Sequence, residues 1–314
     1  YMAIRRPMKV PEAGTEVYSP TAFTGTGAAV NMSSGFPVDL AIPAKRTGTV
    51  YFNFRDRLRG PKETLQLQTR NAEYSNASVE CQFDRQDGVR SDGTNLDSQY
   101  NANNQTSIIW QFKRAPKFFD MVHYVGNGSV RTINHNLKVT PEMIWVKCRD
   151  QSGSYWVVYD KTGTATDYLY LDSTNAQGAF SGYWNNTEPT STVFTLGTGN
   201  GNDTNASSQN YIAYLFATLA GVSKVGSVVH SGTTNVDCGF SNGARFVMAK
   251  RTDSAGDWYW WDSARGIIAG NDPYLLSNST SAEVTNTDYI DPLASGFTLT
   301  SSFTAGTYTF LAIA

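Results

Sequence analysis

The sequence predicts an all-β protein made of tandem antiparallel β-sandwich modules, jelly-roll or lectin-like, of about one hundred residues each. Three observations support this prediction. A pattern of aromatic strand, aspartate and closing strand recurs three times along the 314 residues. Short apolar runs alternate with turns rich in Gly, Asn and Ser. No stretch of a dozen residues keeps the 3.6-residue period of an amphipathic helix. Many short strands without intervening helices are typical of sandwiches and barrels.

The repeated pattern is most complete in the third copy, where an aromatic strand ending in Asp262 precedes two further segments that recur in the other copies. The three segments of each copy are residues 258–262, 274–276 and 281–283 in the third, 156–160, 168–171 and 175–177 in the second, and 51–56, 65–67 and 71–73 in the first. The spacing from Asp56 to Ala72 and from Asp160 to Ala176 is 16 residues in both cases, whereas Asp262 to Ala282 is 20. The difference fits an insertion at residues 266–273.

Each copy closes with an apolar strand, and these strands set the predicted module limits. The closing strands are residues 108–112, 211–216 and 308–314. Residues 1–4 match residues 310–313, which predicts that the chain is a piece of a longer polypeptide. The predicted units are residues 1–17 (the closing strand of a preceding module plus a linker), 18–117, 118–220 and 221–314.

The composition excludes several classes of function. Charged residues make up only 17% of the chain, and the net charge is −2. A basic footprint for nucleic acid is therefore absent. Cys81, Cys148 and Cys238 are an odd, widely spaced set, which predicts three small buried side chains rather than a disulfide framework. We expect no cofactor and no membrane insertion.

The strongest polar motif is the aspartate after the aromatic strand with a later acid. The third copy has Asp262, Arg265 and Glu283, and the first has Asp56, Arg57, Arg59 and Glu73. One interpretation is a carboxylate pair for acid–base work on a glycan. The other is an Arg–carboxylate bond that pins a loop onto the sandwich.

The second copy favours the structural interpretation of this motif. It keeps Asp160 but has Lys161 and Gln177, so the arginine and the second acid are both missing. A structural contact tolerates such drift more easily than catalysis does. No phosphate loop, dinucleotide fingerprint or nucleophile elbow occurs in the sequence. We therefore predict no catalytic residues and no enzymatic activity.

Aromatic side chains are the other candidate for a functional surface. In the third copy, strand alternation places Trp258 and Trp260 on one face and Tyr259 and Trp261 on the other. Only one face can point into a sandwich core, so we expect the other to contact a neighbouring module or subunit. The alternatives are plain packing at the surface and stacking on sugars, the latter by these residues or by Trp156 and Trp184.

Two loops are rich in oxygen ligands, at residues 84–97 and 197–210. Calcium prefers such oxygens. However, neither loop has the alternation of an EF-hand, and Arg85 and Arg90 oppose a cation in the first. We expect both to be Asn/Gly-rich loops without metal; the first, from Asp84 to Asp97, is the better calcium candidate.

Several of these segments together resemble a known viral module. Residues 258–266, 274–283, 295–297 and the last strand are similar to a module repeated in structural proteins of tailed bacteriophages, marine ones in particular. Residues 1–17 resemble the segment that follows such a module. The resemblance is strong in the third copy, clear in the second and weaker in the first.

The resemblance implies a virion structural protein, assembled in the bacterial cytoplasm. A tail fibre or appendage that serves virion assembly or host attachment is the leading expectation, with tandem modules forming a rod or a decorated surface. Its partners would be other virion subunits, further copies of the chain (trimers among the possible oligomers) and a host glycan or receptor. The alternatives are a carbohydrate-binding surface module and a capsid decoration or head-fibre protein.

Overall fold

Three sandwich-like modules make up the computed structural model, which describes residues 8–75, 80–92 and 100–314. Each module pairs one large antiparallel sheet with one small one. The predicted all-β class with three modules of about one hundred residues is thus confirmed. The predicted strand at residues 1–4 lies outside the described residues, as does part of the first loop considered for calcium.

The large sheets share one strand order. In the first module the order is β1 (Tyr18–Thr24), β9 (Thr106–Phe112), β3 (Leu40–Lys45), β4 (Asn53–Asp56), β5 (Glu63–Gln66) and β6 (Tyr74–Ser75). In the second it is β10 (Phe119–Val125), β17 (Asn210–Phe216), β12 (Met143–Cys148), β13 (Val157–Asp160), β14 (Asp167–Tyr170) and β15 (Gly178–Ala179). In the third it is β18 (Ser223–His230), β25 (Gly306–Ile313), β20 (Phe246–Arg251), β21 (Trp258–Asp262) and β22 (Leu275–Leu276).

The small sheets also correspond between modules. They consist of β2 (Val30–Ser33), β8 (Gly88–Asp92) and β7 (Glu80–Gln82); of β11 (Arg131–Asn134) and β16 (Val193–Leu196); and of β19 (Thr234–Asp237), β24 (Gly296–Leu299) and β23 (Ile290–Leu293). A 3-10 turn, η1 (Gly14–Glu16), precedes β1, and a single helical turn, α1 (Ser181–Trp184), precedes β16. Within the described residues, no helix has the length and hydropathy to span a membrane.

The strand register identifies the modules as true repeats. The repeated aspartates pair with the first residue of the neighbouring strand in every module: Leu40 with Asp56, Met143 with Asp160, and Phe246 with Asp262. Each of these first residues also pairs with the end of the closing strand. The spacing of the sequence pattern therefore reproduces an equivalent hydrogen-bonding position.

The large sheets bury both faces, which explains why their strands are apolar nearly throughout. In β20, Phe246 and Met248 lie in one core, whereas Val247 and Ala249 lie in another. The second core lies between the large and the small sheet of the module. Equivalent outer cores occur in the first and second modules.

The other face of every large sheet contributes to one central core. Trp110 of the first module, Trp145 of the second and Trp260 of the third are all fully buried there. The ring centroid of Trp260 lies 5.0 Å from that of Trp110 and 6.2 Å from that of Trp145. The three modules are consequently not strung out as a rod but surround a shared interior.

Equivalent backbone hydrogen bonds join each module to the next. The turn that follows β3, β12 or β20 pairs with the segment that follows the fifth strand of a neighbouring module. The bonds are Val50 N to Thr280 O and Glu283 N to Arg46 O; Gly153 N to Arg70 O and Glu73 N to Arg149 O; and Gly256 N to Thr174 O and Gln177 N to Thr252 O. The first module thus contacts the third, the second contacts the first, and the third contacts the second. This cyclic order is that of a pseudo-threefold ring.

The ring closes where the first and third modules meet. The guanidinium of Arg245 donates to the carbonyl of Tyr18 at 3.0 Å. A side chain at Gly14 would collide with the carbonyl oxygen of Ala314, since an added Cβ would lie 1.9 Å from it. A glycine is therefore required at this close approach of the two ends of the described chain.

Candidate functional site

The repeated polar motif lies at the boundaries between modules. At the boundary of the first and third modules, Arg265 Nε lies 2.6 Å from Asp262 Oδ2, and Arg265 Nη1 lies 3.2 Å from Glu283 Oε1. Two groups from the first module complete the cluster: the indole of Trp110 donates to Asp262 Oδ2 at 2.9 Å, and Arg46 Nη2 lies 2.7 Å from Glu283 Oε2. We refer to such a cluster as an inter-module lock.

Local backbone geometry positions the arginine of this lock. Asp262 ends β21, and its Oδ1 accepts the amides of Ala264 at 3.1 Å and Arg265 at 3.0 Å, which folds the chain into a tight turn. Arg265 also donates from Nη2 to the carbonyl of Trp260 at 2.7 Å. The spacing of three residues between aspartate and arginine therefore returns the guanidinium to the carboxylate that initiates the turn.

The lock between the first and second modules has the same construction. Arg59 Nε lies 2.5 Å from Asp56 Oδ2, and Arg59 Nη1 lies 2.8 Å from Glu73 Oε2. From the second module, the hydroxyl of Tyr214 donates to Asp56 Oδ2 at 2.8 Å, and Arg149 Nη2 lies 2.5 Å from Glu73 Oε1. Tyr214 thus takes the place of Trp110, and Arg149 takes that of Arg46.

Electrostatics favour the charged form of the arginine in this cluster and the neutral form of its tyrosine. Burial alone lowers the pKa of Arg59, but the charge of Asp56 and the neighbouring Tyr214 and Glu73 raise it above its ordinary value. Burial is also the main reason why the pKa of the Tyr214 hydroxyl lies well above 10.0. A fully buried guanidinium between two carboxylates is therefore a fixed charge, and the tyrosine remains a donor.

The third lock, between the second and third modules, lacks the arginine. Asp160 Oδ2 accepts the hydroxyl of Thr162 at 2.6 Å, while Lys161 turns away and pairs with Glu142. Burial raises the pKa of Asp160, and hydrogen bonds from Thr162 and from Thr309 of the third module lower it again. Neutral donors have replaced the cation at this boundary.

The geometry of the locks decides what chemistry they can perform. The side chains of Asp56, Arg59, Asp262 and Arg265 are all 0% exposed. Each carboxylate faces an arginine rather than a cleft, and its remaining lone pairs accept protein hydrogen bonds. A glycan could not reach these oxygens without separating two modules. Their contacts bind modules together.

The tryptophans considered for sugar stacking are all inside the protein. Trp258 and Trp260 lie in the central core, and the indole of Trp258 donates to the carbonyl of Tyr170 at 2.9 Å. Trp261 faces the outer core of its module, 5.8 Å from the ring of Phe303. Trp156 and Trp184 are 0% and 1% exposed. The aromatic faces therefore contact modules on one side and the small sheet on the other.

Sequence reasoning missed the partners that reach across the boundaries. Trp110 and Tyr214 occupy the same position in their closing strands, because they pair with Ile42 and Trp145. Both are aromatic residues with a polar tip, a combination that usually has a partner when buried. An aromatic residue with a polar tip at the same position of two closing strands could have indicated a buried hydrogen-bond donor there. The pairing with another module was invisible.

The metal candidates have other roles or lie outside the described residues. Asp203, in the loop at residues 197–210, is buried and accepts the hydroxyl of Tyr183 at 2.7 Å and the amide of Tyr155 at 2.9 Å. In the part of the chain that the structure describes, no group of three or more His, Cys, Asp or Glu side chains is arranged to hold a metal. Residues 93–97 of the first loop are not described.

The cysteines are separate and buried. Cys81, Cys148 and Cys238 all carry free thiols. Burial raises the pKa of Cys81 and of Cys238 to about 12. Thiols with such a pKa are poor nucleophiles at neutral pH.

Open clefts occur on the surface of the described residues. One cleft of about 430 Å³ lies between the turn at Lys161–Thr162 and the edge strand β18 of the third module. Another, of about 380 Å³, lies between Arg57, Pro61 and Phe83 in the first module. Both clefts are wide open, and the second is the more apolar of the two.

Comparison with known proteins gives a family but no function. A family profile matches residues 13–314, and it is described only as a domain of unknown function, DUF7483. No curated protein matches the chain. The single profile spans all three modules, in accord with a ring that shares one core. The chain thus belongs to the DUF7483 family of domains of unknown function.

Proposed function

We propose that the chain is a structural protein of a tailed-phage virion, part of a tail fibre or appendage that serves assembly, host attachment or both. The observation that carries the proposal is the closed ring. The polar motifs and aromatic faces that were candidates for catalysis or sugar binding lie between modules and hold the modules together. The resemblance to repeated modules of phage structural proteins supplies the biological setting.

A virion part must keep its shape outside the cell, and the ring provides for this without disulfides. The central core joins all three modules, and the locks add charge-assisted hydrogen bonds that are shielded from water. Assembly in a reducing cytoplasm is compatible with three free, buried thiols. These properties support a structural role over an enzymatic one.

Contacts with other virion subunits, and with further copies of the chain, would have to use the outer surface. The inner faces of the large sheets are already buried against each other. Because one chain presents three similar modules around one axis, a single copy can occupy a threefold position that other fibre proteins fill with three chains. Attachment to a host glycan or receptor would use the outer loops and the open clefts.

Cryo-electron microscopy of the native particle tests this proposal. We expect density for the three-module ring, repeated with the symmetry of a tail or appendage, and gold-labelled antibody against the purified chain should decorate the same part. Label on the capsid would instead support the decoration or head-fibre alternative. Absence of label from intact particles, with the chain free or on a cell surface, would contradict a virion role.

Carbohydrate binding is tested separately with the purified chain. On an array of bacterial surface glycans, a receptor-binding part should bind particular glycans, and the chain should compete with particles for host cells. Binding that survives disruption of the clefts beside Lys161 and Arg57 would exclude those clefts as the site. A chain that binds glycans but never appears in particles would favour the lectin alternative.

A further inference from the structure

A second polar cluster occurs in the third module, away from the locks. It involves the loop at residues 266–273, which accounts for the longer spacing of 20 residues from Asp262 to Ala282, against 16 in the other copies. The loop packs against the segment before β23. The described parts of the other modules have no insertion of this length at the equivalent place.

Hydrogen bonds fix this loop against its neighbour. The amide of Asp272 donates to the carbonyl of Thr287 at 2.9 Å. Asp272 Oδ1 accepts the amide of Ile268 at 2.8 Å, and Asp291 Oδ1 accepts the amide of Gly270 at 3.4 Å. Three carboxylates, those of Asp272, Asp288 and Asp291, therefore come from two segments held side by side.

Two oxygens of this cluster lack a partner. Asp272 is 0% exposed, yet its Oδ2 accepts no hydrogen bond, and Asp288 Oδ1 is also buried without one. Burying a carboxylate oxygen without a hydrogen bond or a counter-ion is costly. Burial is the main reason why the pKa of Asp272 rises to about 7; main-chain hydrogen bonds oppose the rise, and the charges of Asp291 and Asp288 add a smaller contribution to it. A cation would remove both the repulsion and the unsatisfied oxygens.

We propose that Asp272 and Asp288 bind a calcium ion between the loop at residues 266–273 and the segment before β23. All the candidate ligands are oxygens, which hard cations prefer. No third acidic side chain of the described residues is placed to share the ion, so main-chain carbonyls and water would have to complete the shell. Calcium accepts such mixed and irregular shells, whereas magnesium demands an octahedron and zinc prefers nitrogen or sulfur.

Asp288 is partly exposed, so the site lies close to the surface of the third module. The ion would tie the inserted loop to the strand region of the same module. This function is independent of the virion role: calcium would stabilise the third module whatever the chain attaches to. A proton shared by the two carboxylates is the competing explanation, and the two predict opposite responses to calcium.

Thermal unfolding with and without calcium distinguishes the two explanations. The whole chain is studied at pH 8, where Asp272 is mostly ionised, in excess calcium chloride or in EGTA. We expect calcium at about one hundred times its Kd to raise the midpoint by about 4 °C. The variant Asp272→Asn should show no calcium response, and in EGTA it should be at least as stable as the wild type, since an amide can donate to Asp288.

The matched control is Asp237→Asn, an exposed aspartate of the same module that caps the amide of Gly239 at 2.8 Å. It should keep the full calcium response. Terbium luminescence provides a second readout, because Tyr274 and Tyr289 lie near the site as a stacked pair at 5.6 Å. Equal midpoints of the wild type in calcium and EGTA, or a calcium shift that persists in Asp272→Asn, would overturn the proposal.

Discussion

At the residue scale, one aspartate position has two different solutions to the problem of a buried charge. Asp56 and Asp262 each face an arginine three residues later, which also bridges to a second carboxylate. Asp160 faces no arginine and instead accepts the hydroxyls of Thr162 and Thr309 and the amide of Thr162. Removing one partner from a buried ion pair leaves the other uncompensated, so the first two locks are the more sensitive to substitution.

The variant Arg59→Met tests the energetic role of a lock. It leaves Asp56 and Glu73 buried without their bridging cation, and we expect a loss of about 3–5 kcal/mol in the free energy of unfolding. Urea denaturation measures the change. The control is Arg57→Met, two residues away, whose guanidinium is 38% exposed and pairs with Asp39. This surface pair should contribute about 0–1 kcal/mol. Equal losses in the two variants would contradict a special role for the lock.

Asp272 should give stability a recognisable pH dependence in the absence of calcium. Its pKa is about 7 in the folded chain and about 3.9 in an unfolded one. Between these values the folded state binds more protons than the unfolded state, so the free energy of unfolding falls as the pH rises from about 4 to about 7.

The measurement is the difference between wild type and Asp272→Asn in EGTA across this pH range. Subtraction removes the contributions of the other titrating groups. The variant should gain stability relative to the wild type as the pH rises. A difference that is constant with pH would show that Asp272 titrates normally.

At the element scale, the strands of the large sheets serve two cores at once. A strand such as β20 contributes alternate residues to the central core and to the outer core of its module. The turn after it pairs by main-chain bonds with the neighbouring module. Loss of a central side chain therefore affects all three modules rather than one.

Trp260 is the side chain best placed to show this effect. It contacts Phe52 and Trp110 of the first module and Trp145 of the second. We expect Trp260→Ala to cost about 3–5 kcal/mol and to lower the unfolding midpoint of every module together. The control is Val229→Ala in the same module, because Val229 is 75% exposed. Destabilisation confined to the third module, as seen by hydrogen exchange, would be the contrary result.

At the scale of the whole molecule, a shared core predicts that the modules unfold as one. Calorimetry should show a single transition whose calorimetric and van't Hoff enthalpies agree. A chain that lacks the third module, residues 221–314, should fail to fold as a monomer, because the faces of the first two modules that line the central core would be exposed. Three resolved transitions, or a well-folded truncated chain, would show that the modules are independent domains after all.

The sequence by itself determined the class and the repeat. Strand alternation, turn residues and the constant spacing around Asp56, Asp160 and Asp262 are local signals, and the sheets follow them. The Asp–Arg pair of the lock could also be predicted from the sequence, because an arginine three residues after an aspartate can form an ion pair with it within one turn. The first module is the most diverged of the three, since Phe54-Arg55-Asp56 replaces the aromatic–Asp pair and its closing strand runs into Lys113-Arg114.

Only the tertiary structure decided that the modules close into a ring and that each lock takes a donor from another module. Trp110 and Asp262 are separated by 152 residues, and Tyr214 and Asp56 by 158. No local period encodes such a pairing. From the sequence, an apolar strand face could pack against a neighbouring module, a second subunit or the other sheet of its own sandwich. In the folded chain each large sheet buries one face against its own small sheet and the other face in the core that all three modules share.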